Sequence, residues 1–151
     1  MKKLLFGLAA IAVTTWAVAQ DNAAAAKPKV EDLIKFKDAK HDFGKIKQGV
    51  PVDYDFAFQN ISDKPVVIEN AWASCGCTTP TKPEKPTAKG KSNTIKAGFN
   101  AQSPGPFDKT VYVKVQGIDL PFELKITGEV LPADAFAKYE ADKKGKKTGS
   151  K

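Results

Sequence analysis

Val52-Asp53-Tyr54-Asp55-Phe56-Ala57-Phe58-Gln59 decides the fold class. In an extended chain Val52, Tyr54, Phe56 and Phe58 fall on one face, while Asp53, Asp55 and Gln59 fall on the other. A helix would scatter both sets around its circumference. The same alternation returns near the other end of the domain. There Ile118, Leu120, Phe122, Leu124, Ile126 and Val130 oppose Asp119, Glu123, Lys125, Thr127 and Glu129. Weaker versions lie between: Val66 and Ile68 with Trp72, then Ile95, Ala97 and Phe99, then Val111, Val113 and Val115. Turn-forming residues separate these runs, at Asn60 to Pro65, Ser103-Pro104-Gly105-Pro106 and Gln116-Gly117. Short strands at this spacing, without helical periodicity among them, predict an all-β fold. The expectation is an immunoglobulin-like antiparallel β-sandwich of about seven strands over residues 33–131.

The flanks read differently. Met1-Lys2-Lys3 is a positive start, Leu4 to Ala12 an apolar run, and Ala17-Val18-Ala19 a small-residue cleavage site. Residues 1–19 are therefore expected to be a signal peptide cut before Gln20, which implies a periplasmic or secreted protein. The run from Leu4 to Ala19 is short for a membrane span and contains Thr14 and Thr15, so no span is expected after cleavage. No cysteine follows the cleavage site to carry a lipid. Residues 20–32 are Ala- and Lys-rich and read as a disordered spacer. Residues 132–151 read as a Lys-rich, mostly disordered tail, with a frayed helix over 134–144 at most.

The formal charge of +7 suggests nucleic acid at first sight. Its distribution argues otherwise. The signal peptide removes Lys2 and Lys3, and the tail holds Lys138, Lys143, Lys144, Lys146, Lys147 and Lys151 against three acids. That leaves the domain nearly neutral. All 24 basic residues are Lys, whereas Arg supplies the bidentate contacts that read guanine and grip phosphate. A nucleic-acid partner is not expected. The tail suits solubility or a weak attraction to anionic surfaces.

Cys75-Gly76-Cys77 is the one group equipped for chemistry. In a straight strand, Cα atoms two residues apart lie about 6.5–7 Å from one another, at the limit for a disulfide. A bridge therefore requires a bend, for which Gly76 is suited. Two readings stay open. The pair is a structural clip, or it is a thiol site for disulfide exchange or Cu(I), a metal that accepts two soft thiolates. His41, the only histidine, would be the sole candidate third ligand, and it is more simply a surface residue at a strand edge. Thr79 to Lys91, with Pro80, Pro83 and Pro86, is expected to be a long surface loop. Trp72 is expected in the core. Asn60-Ile61-Ser62 matches a glycosylation acceptor that an exported bacterial protein would rarely use. No complete catalytic set of residues appears, and a non-catalytic protein is expected.

Several of these stretches together resemble a known family. His41-Asp42-Phe43-Gly44-Lys45-Ile46, Pro65 to Asn70, Ser74 to Thr78, Gly90, Pro104 to Phe107 and Ile126-Thr127-Gly128-Glu129-Val130 occur in its order. The chain resembles exported bacterial domain-of-unknown-function family 1573 over about residues 36–131, with Cys-Gly-Cys-Thr its most specific element. Two turns depart from its pattern: Ala88-Lys89-Gly90 stands where Pro-Gly is usual, and no Asn-Asp-Pro precedes the last strand. The resemblance implies export, an Ig-like fold similar to the interaction modules of hydin-type proteins, and no assigned activity. An unidentified protein or cell-envelope component is the implied partner.

Overall fold

Alternation over residues 52–60 becomes the central strand of a sheet. The computed structural model describes residues 27–148, so the expected signal peptide lies outside the described residues. A short 3-10 turn, Val30–Asp32, precedes β1 (Ile34–Phe36), β2 (Lys40–Lys47), β3 (Val52–Asn60) and β4 (Ile68–Ala73). These are followed by β5 (Thr78–Thr81), β6 (Ser92–Phe99), β7 (Gly105–Val115), β8 (Phe122–Leu131) and α1 (Ala133–Thr148). One sheet has the order β1-β3-β6-β5, the other β2-β8-β7-β4. Their inner faces meet through Phe56, Phe58, Ile95 and Phe99 on one side and Val111, Val113, Leu124 and Ile126 on the other, all buried. This is the expected β-sandwich, with eight strands.

One pair departs from the antiparallel expectation: β2 runs parallel to β8. The cause is a strand that changes sheets. Lys37 N–H donates to Ala57 O in the first sheet at 2.9 Å, and two residues on Ala39 O accepts from Lys125 N–H in the second, also at 2.9 Å. The crossing at Asp38 divides one extended segment into β1 and β2, and the second part arrives alongside β8 from its own start.

The boundaries also move. Val30 is buried against the core, so the packed domain begins inside the segment expected to be a disordered spacer. One apolar residue among Lys27, Pro28, Lys29 and Glu31 gives no periodic signal. The tail expected to be mostly disordered holds α1, which runs beyond Lys144 to Thr148. Ala and Lys, both good helix formers, predominate in it, and Asp134 lies in its first turn, where the helix dipole favours an acid. Lys45 of β2 lies over the Tyr139 ring at 5.2 Å and ties the helix to the sandwich.

Two further expectations need correction. Leu120 does not share the inward face of β8; it precedes the strand in a turn and is 76% exposed. The proline loop is not free along its length. Thr78–Thr81 pairs with β6 as an edge strand, a place that tolerates Pro80 because an edge needs fewer N–H donors. Further on, Thr87 is buried and exchanges two backbone hydrogen bonds with Val66, at 2.8 and 2.9 Å.

Candidate functional site

Three of the segments that carry the family resemblance meet at Gly44, Phe107 and Gly128. Gly44 sits at φ +65° in a bulge of β2, and its N–H donates to Asp42 Oδ1 at 2.9 Å. Phe107 is the cross-strand partner of Gly128. A Cβ on Gly128 would come within 2.8 Å of both the Phe107 ring and the Gly44 carbonyl oxygen. Phe107 in turn stacks on Phe99 at 4.2 Å, with Phe43 at 6.5 Å. Glycine at 128 is what lets this aromatic group close one end of the sandwich.

Asn60 is likewise committed to the fold. It is fully buried, and its amide donates to Lys64 O and Thr87 O at 2.8 Å each. Its carbonyl oxygen accepts from Ser62 N–H at 2.9 Å and Ser62 O–H at 2.8 Å. Every polar position of the side chain is occupied, which removes Asn60 as a glycan acceptor.

His41 is held between rings. It stacks on Tyr54 with centroids 3.6 Å apart and meets Phe43 edge-on at 4.6 Å. The Tyr54 hydroxyl faces Asp38 Oδ2 at 3.4 Å; burial first, and then that carboxylate, push the phenol above its ordinary pKa. His41 belongs to β2 and the cysteines follow β4, the opposite edges of one sheet, three strand spacings or about 14 Å apart. The structure therefore does not bring His41 to the cysteines. Among the described residues, no three His, Cys, Asp or Glu side chains gather to hold a metal ion. A three-ligand Cu(I) centre has no support in this arrangement.

Cys75 and Cys77 are bonded to each other, with Cα atoms 5.3 Å apart. They form the corner where the chain leaves β4 in one sheet for β5 in the other. Thr78 N–H donates to Cys75 O at 3.3 Å, and Asn100 N–H donates to Cys77 O at 3.1 Å. The buried Thr78 hydroxyl lies 3.7 Å from Cys75 Sγ and 3.9 Å from Cys77 Sγ. Both cysteines are half-buried, and Gly76 at the tip is exposed. Contrary to expectation, Gly76 is not needed for the bend. Its φ lies outside the left-handed region, and a Cβ there would meet nothing within 4 Å. Closing so short a loop removes little freedom from the unfolded chain, roughly 1.6 kcal/mol against about 4.7 for a loop of a hundred residues. As a staple the bridge is weak.

Trp72 is where the structure departs most usefully from the sequence reading. Ile68 pairs with Val115, but Asn70 pairs with Lys114, so β4 holds one extra residue, Glu69. This bulge inverts the alternation that follows. Ile68 points inward, and Trp72 points outward, 39% exposed, where it stacks on Tyr112 of β7 at 5.4 Å. Tyr112 was overlooked in the sequence, although its place between buried Val111 and Val113 already assigns it to the outer face. By register the aromatic pair is bordered by Asn70, Lys114 and Glu123.

The sheet edges themselves are guarded. β4 has its bulge, and Asn70 Oδ1 accepts from Ala71 N–H at 2.9 Å. β5 carries Pro80, β1 is three residues long, and β2 is broken by its own bulge. These features disfavour recognition by strand addition.

The family model described as "Protein of unknown function (DUF1573)" matches residues 34–130. The chain belongs to this family. No curated protein matches it by sequence. Among solved structures, a protein of unknown function from Porphyromonas gingivalis W83 superposes with a TM-score of 0.54 at 10% identity, over 64% of this chain and 46% of that one. The ASH/PapD-like domain 7 of human CEP192 gives 0.53 at 6% identity, over 67% of this chain and 87% of the other. The SrpA adhesin of Streptococcus sanguinis gives 0.50 at 6% identity, over 68% and 59%. The chain thus spans less than half of the Porphyromonas protein. At these identities the likeness concerns the fold, which the family member shares with Ig-like and PapD-like domains. No helix among the described residues is long and apolar enough to cross a membrane.

Proposed function

We propose that this family member is a non-catalytic, exported bacterial interaction module that docks a protein or cell-envelope partner on the outer face of its β4-β7 sheet. The observation that carries this reading is the Trp72–Tyr112 pair. A bulge turns a tryptophan out of the core, where the half-buried Tyr112 stacks on it. Bulges of this kind re-aim side chains, and exposed aromatic pairs rimmed by polar groups are characteristic anchors of binding surfaces.

Export is supported by the Met1-to-Ala19 pattern and by a disulfide, which persists in oxidising compartments. The absence of catalysis is supported by the placement of the only histidine. It stacks on Tyr54 and meets Phe43 edge-on, at the opposite edge of the sheet from the strand that leads to the cysteines. The Ig-like adhesin and PapD-like structures share the architecture, which is compatible with a binding role.

The test is site-specific crosslinking in cells producing the full chain. A photoactivatable residue replacing Tyr112 is expected to give a discrete crosslinked species, and one replacing Gln59, on the opposite sheet, is expected to give none. Equal yields from both positions would overturn the assignment of the face.

A further inference from the structure

The disulfide corner carries an inference independent of the docking face. Cys77 lines a hollow of about 240 Å³ bounded by Pro51, Asp53, Gly98 and Asn100, open to solvent at the sandwich edge. Cys75 does not line it. Thr78 O–H lies beside the S–S bond, 3.7 Å from Cys75 Sγ and 3.9 Å from Cys77 Sγ, within reach of the sulfur that leaves when Cys77 is attacked. From these placements we infer that the Cys75–Cys77 bridge is a thiol–disulfide exchange site, opened by attack on Cys77 Sγ from the hollow.

The chemistry balances with a dithiol as the other reactant. A partner thiolate forms a bond to Cys77 Sγ, and the Cys77–Cys75 bond breaks with its electron pair going to Cys75. Thr78 O–H donates to the departing Cys75 thiolate and stabilises it. The partner's second thiol then attacks the partner sulfur of the mixed disulfide and releases Cys77 as a thiolate. Two electrons and two protons pass to this chain, and the partner leaves oxidised. Opening so short a loop releases only the few residues at the corner. Asp53 is the ionised side chain that lines the hollow, so its mouth favours a neutral or cationic thiol over an anionic one.

The probe is dithiothreitol acting on the folded full chain, with acid quench, alkylation and intact mass. The opening rate is expected to rise in proportion to thiol concentration without a plateau, while the tryptophan fluorescence and circular dichroism of the fold persist. With a monothiol, peptide mapping is expected to place the mixed disulfide on Cys77. Cysteamine is expected to outpace 3-mercaptopropionate by roughly threefold to tenfold, each rate taken relative to the same thiol acting on the urea-unfolded chain. Asp53→Asn is expected to remove that difference. Thr78→Val is expected to slow opening about tenfold and Thr78→Ser to restore it, as the loss and return of one charge-assisted hydrogen bond require. A rate that levels off at the unfolding rate would overturn the inference and identify a structural clip, and an adduct on Cys75 would overturn the attack on Cys77 from the hollow.

Discussion

The Phe107 ring occupies the space that a Cβ on Gly128 would need: the two would lie 2.8 Å apart, with the Gly44 carbonyl oxygen equally close. Three separate stretches of the sequence meet at this point. Gly128→Ala is therefore expected to destabilise the domain by roughly 1–3 kcal/mol, because ring and backbone must both shift. Chemical denaturation would show this as a lower midpoint with an unchanged slope.

Asn60 offers a second test of the fold. Replacing it with Ala empties a fully buried site, removes the acceptor of the Ser62 N–H, and leaves the Thr87 and Lys64 carbonyls with only their second donors, Val66 N–H and Ser62 O–H. The expected cost is roughly 2–4 kcal/mol. Thermal unfolding followed by circular dichroism measures it, and Asn60→Asp is expected to recover only the acceptor side.

Gly76→Ala tests the corner from the opposite direction. Its backbone is open to other residues and its surroundings are empty, so stability should change by no more than about 0.5 kcal/mol and the disulfide should still form. Intact mass after alkylation under denaturing conditions reports the bridge directly.

Tyr54 predicts a pH dependence. Its folded-state pKa is raised by burial and by Asp38, so the folded chain holds the phenolic proton more tightly than the unfolded chain does. The associated stability is fully present below the ordinary tyrosine pKa of about 10 and is lost as pH rises through the higher folded value. Wild type should lose more stability than Tyr54→Phe over that range, and ultraviolet titration should show one phenol ionising late.

Much of the fold was legible because burial on one face writes a period of two into the sequence. Phe56, Phe58, Leu124, Ile126 and Val130 all lie inward as their spacing requires. What the spacing cannot carry is a change of phase or a distant partner. Glu69 inserts one residue into β4, and a periodic reading continued past it sends Trp72 to the wrong side. The parallel pairing of β2 with β8 joins segments more than eighty residues apart, so no local pattern announces it. Val30 is a lone apolar residue, and α1 is a helix supported by few contacts with the sandwich. At the candidate site, Cys75 and Cys77 were visible as residue types, but the hollow beside Cys77 is assembled from β3, β5, β6 and adjoining loops. Only the fold brings those together.

The central claim is that the Trp72–Tyr112 face holds a partner, and quantitative crosslinking tests it most directly. With the photoactivatable residue at position 112, crosslinked product is compared between the wild-type background and Trp72→Ala at matched protein levels. Loss of an aromatic anchor that the partner covers is expected to weaken binding at least about thirtyfold and to remove most of the product. The domain's melting temperature should stay nearly the same, because Trp72 lies outside the core. An undiminished product in the Trp72→Ala background would contradict the account.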